Sequence, residues 1–432
     1  MRQDWPRSVD GDKLSVTAKT SESKRQMQHW RRNLQVVWLA QFISIMSFAF
    51  AIPFVPFYLQ QELGIREPEL VKYWVALFAA AAPLTLALFS PLWGMIADRY
   101  GRRPMLLRAY LGGAVVLSLM GTVTRVETLV ILRLMQGMFT GTITASQALV
   151  SAGTPKARGG AALGALSAAV FSGSVMGAFV GGWVAELFGY RVAFFVSGSL
   201  MLAAAALVFF GVREQFVPPP EEPVSTETAT SGSSLLAALP LLLLMGAMTF
   251  TGSFDGAFLP LLVQDVLGTV KGAALWTGSL QAVAGVAGIV AGFSLGALAD
   301  RAGPARIGKY SAIGAGLFMF CTGLVHWLPV LFATRFATVF CTGGLDPVFQ
   351  VWLSRVTPDR HRGSIFGWAA TAKSVGWFFA PLAGGAVAAY GSIRAVYLVG
   401  PVLYLLLAGL ISYVVRHMAD PQRGVSESDS PA

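Results

Sequence analysis

The stretch G-M-I-A-D-R-Y-G-R-R-P at positions 94–104 decides how the rest of this chain is organised. It lies between two long apolar runs, at roughly 73–96 and 104–124. Charges and glycines placed so closely between apolar runs are typical of a tight turn at a membrane surface, where the charged groups stay in water. The stretch therefore predicts a short loop that joins two membrane-spanning segments.

The spacing of this loop returns 202 residues later, in G-A-L-A-D-R-A-G at positions 296–303. The shared positions are Gly94, Asp98, Arg99 and Gly101 in the first copy and Gly296, Asp300, Arg301 and Gly303 in the second. Arg133 likewise returns as Arg335, also 202 residues on. A nearly constant offset over most of a chain indicates an internal duplication. We therefore expect two versions of one unit, at 33–212 and 236–416.

Three polar segments flank or separate these halves. Residues 1–32 carry eight Lys/Arg and four acids with few apolar side chains, which predicts a disordered cytoplasmic tail. Residues 213–235 contain P-P-P-E-E-P and a Ser/Thr-rich run, which is typical of a linker. Residues 417–432 form a second polar tail.

The composition excludes a soluble globule. The chain has 432 residues, of which 55% are hydrophobic and only 12% are charged, whereas soluble domains carry about 25% charged residues. The long apolar runs do not alternate as the strands of a membrane barrel do. Because a bilayer offers the backbone no hydrogen-bond partners, helices are the expected spanning element, and we predict an all-α membrane protein.

Twelve spans are expected, six in each half. They lie at approximately 34–58, 73–96, 104–124, 128–151, 161–187, 192–212, 237–263, 273–298, 306–326, 328–353, 364–390 and 394–415. With both termini on one side, that side collects 22 Lys/Arg and the opposite side 6. This asymmetry follows the positive-inside rule, so both termini are expected in the cytoplasm. The net charge of +10 is thus explained by topology, and no nucleic-acid partner is expected.

No enzyme is predicted, and no cofactor or metal is expected. The chain contains no H-E-x-x-H, G-x-S-x-G or G-x-x-x-x-G-K-[ST] motif and no Cys/His cluster. Cys321 and Cys341 both fall within predicted spans and are interpreted as small apolar residues.

Ionisable residues inside the predicted spans are the candidate coupling residues: Arg133, Asp255, Arg335, Asp346 and Lys373. A charge in the hydrocarbon region is costly, so such residues are expected to face the bundle interior and to serve function. Asp346 follows Arg335 by eleven residues, close to three helical turns, which predicts that both lie on one face. A static buried ion pair, of Asp255 or Asp346 with Lys373, is the alternative.

Predicted span five contains G-S-V-M-G-A-F-V-G-G at 173–182. Gly173, Gly177 and Gly181 are four residues apart and lie on one helix face, and Gly182 follows directly. Such a face lets another backbone approach closely. Simple helix packing and a gating contact both remain possible from this pattern.

These features together resemble the major facilitator superfamily. The loop at 94–103 resembles its loop between spans two and three, and L-R-L-M-Q-G at 132–137 resembles a span-four motif of its proton-coupled members. The glycine run resembles the antiporter motif of drug/proton exporters, and the whole is most similar to twelve-span bacterial multidrug exporters. The resemblance covers about 33–416. Two departures are Ala178, where the antiporter motif has proline, and the absence of an acid in span one.

The resemblance implies a secondary transporter of the bacterial inner membrane that exports amphipathic compounds in exchange for protons by alternating access. Its partners would be a small molecule, protons and the lipid bilayer, and it would act as a monomer. Asp98 would accept hydrogen bonds at the start of span eleven, near Gly363 and Ser364, with Arg99, Arg102 and Arg103 forming charge pairs around it.

Two other functions stay open. A substrate-specific importer or facilitator would need fixed polar partners in its cavity, for which the candidates are Gln41, Gln136, Gln147, Gln281 and Gln350. The fold alone does not decide between export and import. A membrane enzyme or sensor is the third possibility.

Overall fold

The structure, a computed structural model, describes residues 10–155, 158–214, 232–356 and 362–419, and the described chain is helical almost throughout. The helices of the first half are α1 (Asp10–Ala51), α2 (Val55–Gln61), α3 (Pro68–Tyr100), α4 (Arg102–Met120), α5 (Val126–Phe139), α6 (Thr142–Gly153), α7 (Gly159–Phe188) and α8 (Tyr190–Gly211). Those of the second half are α9 (Gly232–Ser253), α10 (Leu259–Leu267), α11 (Ala273–Ala302), α12 (Pro304–Leu324), α13 (Leu328–Gly343), α14 (Leu345–Val356), α15 (Arg362–Tyr390) and α16 (Ile393–Ala419). The predicted all-α membrane fold is confirmed.

Eight segments of the described chain are long and apolar enough to cross a bilayer, and they make this a multi-pass membrane protein. They are Trp30–Gln61, Pro68–Ala97, Gly159–Phe188, Tyr190–Gly211, Leu239–Leu267, Ala273–Ala299, Ala305–Leu324 and Ile393–Arg416. The other four predicted spans correspond to α4, α5 with α6, α13 with α14, and α15. The full count of twelve stays a prediction.

The first helix begins earlier than its predicted span. α1 starts at Asp10, within the segment predicted to be a disordered tail, and continues without interruption to Ala51. Between Lys13 and Ala51 there is neither glycine nor proline to end it. At the other boundary, α9 begins at Gly232, so the last residues of the predicted linker are helical, and residues 215–231 lie outside the described chain.

Four predicted spans are interrupted, and the interruptions follow the duplication. The 3-10 turn Ile52–Phe54, at Pro53, separates α1 from α2, and the 3-10 turn Gly256–Phe258 separates α9 from α10. Proline removes a backbone donor and so favours the first break. Gly141, with φ of +109°, separates α5 from α6, and Gly344 separates α13 from α14. These last two breaks were not predicted, because both glycines lie inside the predicted spans 128–151 and 328–353.

The two halves contact each other mainly through α7 with α11 and α3 with α15. Contacts lie toward one end of the bundle, which we call the Gln60 end. There the Gln60 and Gln264 side-chain amides, one from each half, exchange hydrogen bonds of 2.9 and 3.0 Å. At the opposite end, which carries Gly101 and Gly303 and which we call the loop end, a Cβ added at Gly94, Gly164, Gly292 or Gly367 would meet no atom within 4 Å. The halves thus meet at the Gln60 end and separate toward the loop end.

Candidate functional site

A cavity of about 390 Å³ lies between α1, α3, α5 and α7, with one wall from α11 of the second half. Most of its lining is apolar, including Ile45, Phe48 and Ala82. Its polar lining residues are Arg133, Gln136, Thr140, Ser174 and Gln281. An apolar pocket with a few convergent polar groups is the usual form of a small-molecule site.

Arg133 is the charged group of this cavity. Its Nη1 donates to Oε1 of Gln136, and its guanidinium lies 4.8 Å from the centre of the Phe78 ring. Its Nε is buried without a hydrogen-bond partner, as is Nε2 of Gln136. In the described part of the chain no carboxylate lies within 4.0 Å of Arg133, so its positive charge faces the cavity uncompensated.

The equivalent arginine of the second half has a partner. Nη1 of Arg335 lies 2.5 Å from Oδ2 of Asp255, whose side chain is only 4% exposed. Asp255 directly precedes the 3-10 turn that follows α9, and its backbone oxygen accepts a 3.4 Å hydrogen bond from the Tyr397 hydroxyl of α16. In the first half the residue that precedes the matching turn is Ala51, which has no carboxylate. The duplication is therefore asymmetric at this site.

The second carboxylate pairs with the other cation. Oδ1 of Asp346 lies 2.6 Å from Nζ of Lys373, and its Oδ2 accepts from Nε2 of Gln350 at 2.7 Å. The helix is interrupted at Gly344 between Arg335 and Asp346, so their eleven-residue spacing no longer fixes a shared face, and the two side chains take different partners. The Asp346 side chain is 42% exposed, far more than that of Asp255.

The remaining glutamines are spread out. Gln41 is buried and accepts a 2.8 Å hydrogen bond from Ser146 through Oε1, while its Nε2 has no partner. Gln136 and Gln281 line the cavity, whereas Gln350 belongs to the Asp346 cluster. Gln147 is half-buried in α6.

The loop motif is built around the start of α4. Gly101, with φ of +95°, is the N-cap between α3 and α4. The backbone N–H groups of Arg102 and Arg103 donate to the Glu214 carboxylate at 3.0 and 2.7 Å, and Arg103 Nη2 donates to the Phe209 oxygen at 2.6 Å. Sequence reasoning missed Glu214, although a carboxylate at a helix N-terminus is a general pattern.

The other charged residues of the loop motif are Arg99 and Asp98. Arg99 is exposed, with its guanidinium 5.7 Å from the Tyr100 ring. The side chains of Asp98 and Ser364 lie outside what the structure describes, so the expected contact between Asp98 and the start of α15 stays a prediction.

The second-half copy keeps the glycine turn. Gly303, with φ of +88°, is the N-cap of α12, and Arg301 is exposed in the last turn of α11. The surroundings of Gly296 and the side chain of Asp300 lie outside what the structure describes. The positive φ at this turn and at Gly101 favours glycine, since other residues are strained there.

The glycine run of α7 contacts two different helices. A Cβ added to Gly173 would lie 2.5 Å from the Phe42 oxygen, and Gly177 and Gly181 likewise lie against the backbone of α1. Gly182 instead lies against α11 in the other half, where an added Cβ would be 2.7 Å from the Ala274 oxygen. The run thus packs the first half internally and also forms the contact between halves.

Comparison with known proteins decides the family. The model of the Major Facilitator Superfamily matches residues 37–328 and 306–431 of this chain. The chain belongs to this superfamily. The chain is therefore a transporter by family.

Two relatives share the name multidrug resistance protein MdtG. A multidrug resistance protein MdtG of Salmonella arizonae (strain ATCC BAA-731 / CDC346-86 / RSK2980) is 34% identical over 401 residues, covering 90% of this chain and 98% of the relative. The MdtG of Rahnella sp. (strain Y9602) is 33% identical over 384 residues, covering 88% and 93%. The solved structure of a bacterial homologue of the human lysosomal transporter Spinster matches with a TM-score of 0.68 and 16% sequence identity, over 94% of this chain and 99% of that one, and shows the same fold. The two MdtG relatives agree with the predicted resemblance to bacterial multidrug exporters.

Proposed function

We propose that the protein exports amphipathic compounds from a bacterial cell in exchange for protons, by alternating access. The observation that carries the proposal is the cavity beside Arg133, which is largely apolar yet contains a cation with no carboxylate partner among the described residues. An apolar body would be buried against Ile45 and Phe48, while hydrogen-bond acceptors on the compound would meet Arg133 and Gln136. The relatives named multidrug resistance protein support the same class of substrate.

The loop end is assigned to the cytoplasm, because the basic residues outside the spans collect there. With the halves in contact at the Gln60 end and apart at the loop end, the cavity would then be reached from the cytoplasm. Rocking of one half against the other about this cavity would expose it to the opposite side.

Asp346 is the proposed proton carrier. Its side chain is 42% exposed and is held by Lys373, so that it can exchange protons with water and still sense a nearby cation. Asp255 is proposed to be structural, since it is almost fully buried against Arg335. The Asp346 carboxylate is a suitable coupling group. While it is paired with Lys373 the charged form is favoured, and when the pair separates in a desolvated site the protonated form is favoured.

The proposal is tested in a bacterial host that lacks its own exporters. Susceptibility to a panel of amphipathic compounds should fall when the protein is expressed. It should fall less with Arg133→Gln, which removes the cavity cation. Arg125→Gln, which removes an exposed arginine directly before the helix that carries Arg133, is the matched control and should behave like the unaltered protein. A host with unchanged susceptibility to every compound, at confirmed membrane expression, would contradict export.

A further inference from the structure

Glu186, near the end of α7, makes a contact that joins the two halves. Its Oε1 accepts a hydrogen bond of 2.6 Å from the backbone N–H of Gly272. Gly272 is the N-cap of α11 in the second half and has φ of +79°. The side chain of one half therefore caps a helix of the other, at the end where Gln60 and Gln264 also meet.

The contact has the chemistry of a strong but breakable tie. A carboxylate at a helix N-terminus is stabilised by the unpaired N–H groups and by the helix dipole, and charge-assisted hydrogen bonds are stronger than neutral ones. The second oxygen, Oε2, is buried and has no hydrogen-bond partner. Glu186 is thus held by one hydrogen bond, and the burial of its other oxygen without a partner costs free energy. Separation of the halves would return that oxygen to water and recover this cost.

The duplication gives this contact no counterpart. Gly182 corresponds to Gly385, so the residue equivalent to Glu186 is Ala389. The helix equivalent to α11 is α3, and Ala389 has no side-chain acceptor that could bind its N-terminus. On that side, α3 and α15 approach closely, and a Cβ added at Gly385 would clash with Ala76. Among the described residues, one side of the interface therefore carries a polar tie and the other close packing.

We propose that Glu186 is a latch that holds the Gln60 end closed, and that the transporter must release it from Gly272 to open that end. The latch rests on the alternating access proposed above. It adds a specific residue, outside the loop motif and outside the candidate coupling residues, whose removal should favour the conformation that is open at the Gln60 end.

Thr277 provides a reporter for opening. It is fully buried on α11, one helical turn from Gln281, which lines the cavity. Thr277→Cys is a conservative change, and in a background with Cys321→Ala and Cys341→Ala it leaves a single thiol. The rate at which a membrane-impermeant maleimide labels this thiol from the Gln60 side of whole cells measures how often that end opens, and it needs no transported compound.

Glu186→Ala should raise this labelling rate about tenfold, the population shift expected from the loss of one charge-assisted hydrogen bond. Glu186→Gln keeps an acceptor oxygen without the charge, so its labelling rate should lie between that of the unaltered protein and that of Glu186→Ala. Glu62→Gln is the matched control, because Glu62 pairs with Arg191 within the first half at 2.9 Å. Its labelling rate should equal that of the unaltered protein.

Two results would overturn the latch and can be told apart. Measurable labelling at the same rate in the unaltered protein and in Glu186→Ala would exclude the latch and leave alternating access standing. No labelling from the Gln60 side in any variant would count against alternating access and the latch together. If Glu186→Ala fails to accumulate in the membrane, the isosteric Glu186→Gln decides, and a rate equal to that of the unaltered protein overturns the proposal.

Discussion

Nη1 of Arg335 lies 2.5 Å from Oδ2 of Asp255, and this pair ties α13 to the turn at the end of α9. The equivalent arginine of the first half, Arg133, has no carboxylate partner among the described residues, and Ala51 occupies the position that matches Asp255. Of the two equivalent arginines, Arg335 thus stabilises the second half and Arg133 lines a cavity.

The buried pair leads to a stability prediction. Asp255→Asn should lower the free energy of unfolding by about 3–5 kcal/mol, because it leaves the Arg335 charge buried without a counter-charge. The double variant Asp255→Asn with Arg335→Gln should recover most of this loss. Thermal unfolding of the purified protein, followed by tryptophan fluorescence, measures both. Asp265→Asn, in an exposed pair with Arg394, is the control and should change stability by about 0–1 kcal/mol. Equal unfolding temperatures for Asp255→Asn and the unaltered protein would show that the pair is not structural.

A second prediction concerns proton coupling through Asp346. Asp346→Asn should leave the protein folded and able to bind substrate, yet abolish uptake into inverted vesicles driven by a pH gradient. Gln350→Ala removes the neutral partner of the same carboxylate and should retain most gradient-driven uptake. If Asp346→Asn keeps full gradient-driven transport, the proton is carried elsewhere or transport is not coupled to protons.

The two loop copies should differ in importance. Only the first copy is followed by the full R-Y-G-R-R, and there the start of α4 is bound by Glu214. We expect Asp98→Asn to reduce transport strongly and Asp300→Asn to reduce it less, since each charge-assisted contact contributes roughly 1.5–3 kcal/mol. Transport rates at matched expression measure the difference. Normal transport by Asp98→Asn would remove the proposed role of this loop in closing the cytoplasmic side.

Gly278 provides a prediction about the interface between halves. A Cβ added there would clash with the Ala178 backbone oxygen across the interface, whereas one added at Gly292 of the same helix would meet nothing within 4 Å. Gly278→Ala should therefore separate the Gln60 ends, and Gly292→Ala should leave them in place. Electron paramagnetic resonance distances between spin labels at the exposed positions Arg66 and Lys271, one in each half, measure this separation. Identical distance distributions for the two variants would show that the close approach at Gly278 does not control closure.

The orientation in the membrane is tested by labelling. The 22-to-6 distribution of Lys/Arg predicts that the linker lies in the cytoplasm and the 60–72 loop outside. Single cysteines at Ser225 and Glu67, placed in a background without Cys321 and Cys341, should react with an impermeant maleimide from opposite sides of the membrane. Reaction of both from the same side would overturn the predicted topology.

Some features that position the site have only weak signals in the sequence. The helix interruptions at Gly141 and Gly344 lie inside predicted spans, where T-G-T and G-G-L-D-P are local signals of a break that the span lengths alone do not use. Glu186 and Glu214 lie outside every recognised motif. Each of these carboxylates follows or ends one helix in the chain but binds the N-terminus of another. They could be found only once it was known which helices lie side by side.

The sequence by itself determined the class of fold, because apolar runs of spanning length must be helical in a bilayer and a repeated offset must produce two similar halves. It also determined which residues carry charge within the spans. Only the tertiary structure decided which charges meet. Arg335 pairs with Asp255, which is 80 residues away in the chain, and not with Asp346 on its own predicted span. The reason is that pairing depends on where helices break and how they pack, and short-range periodicity contains neither.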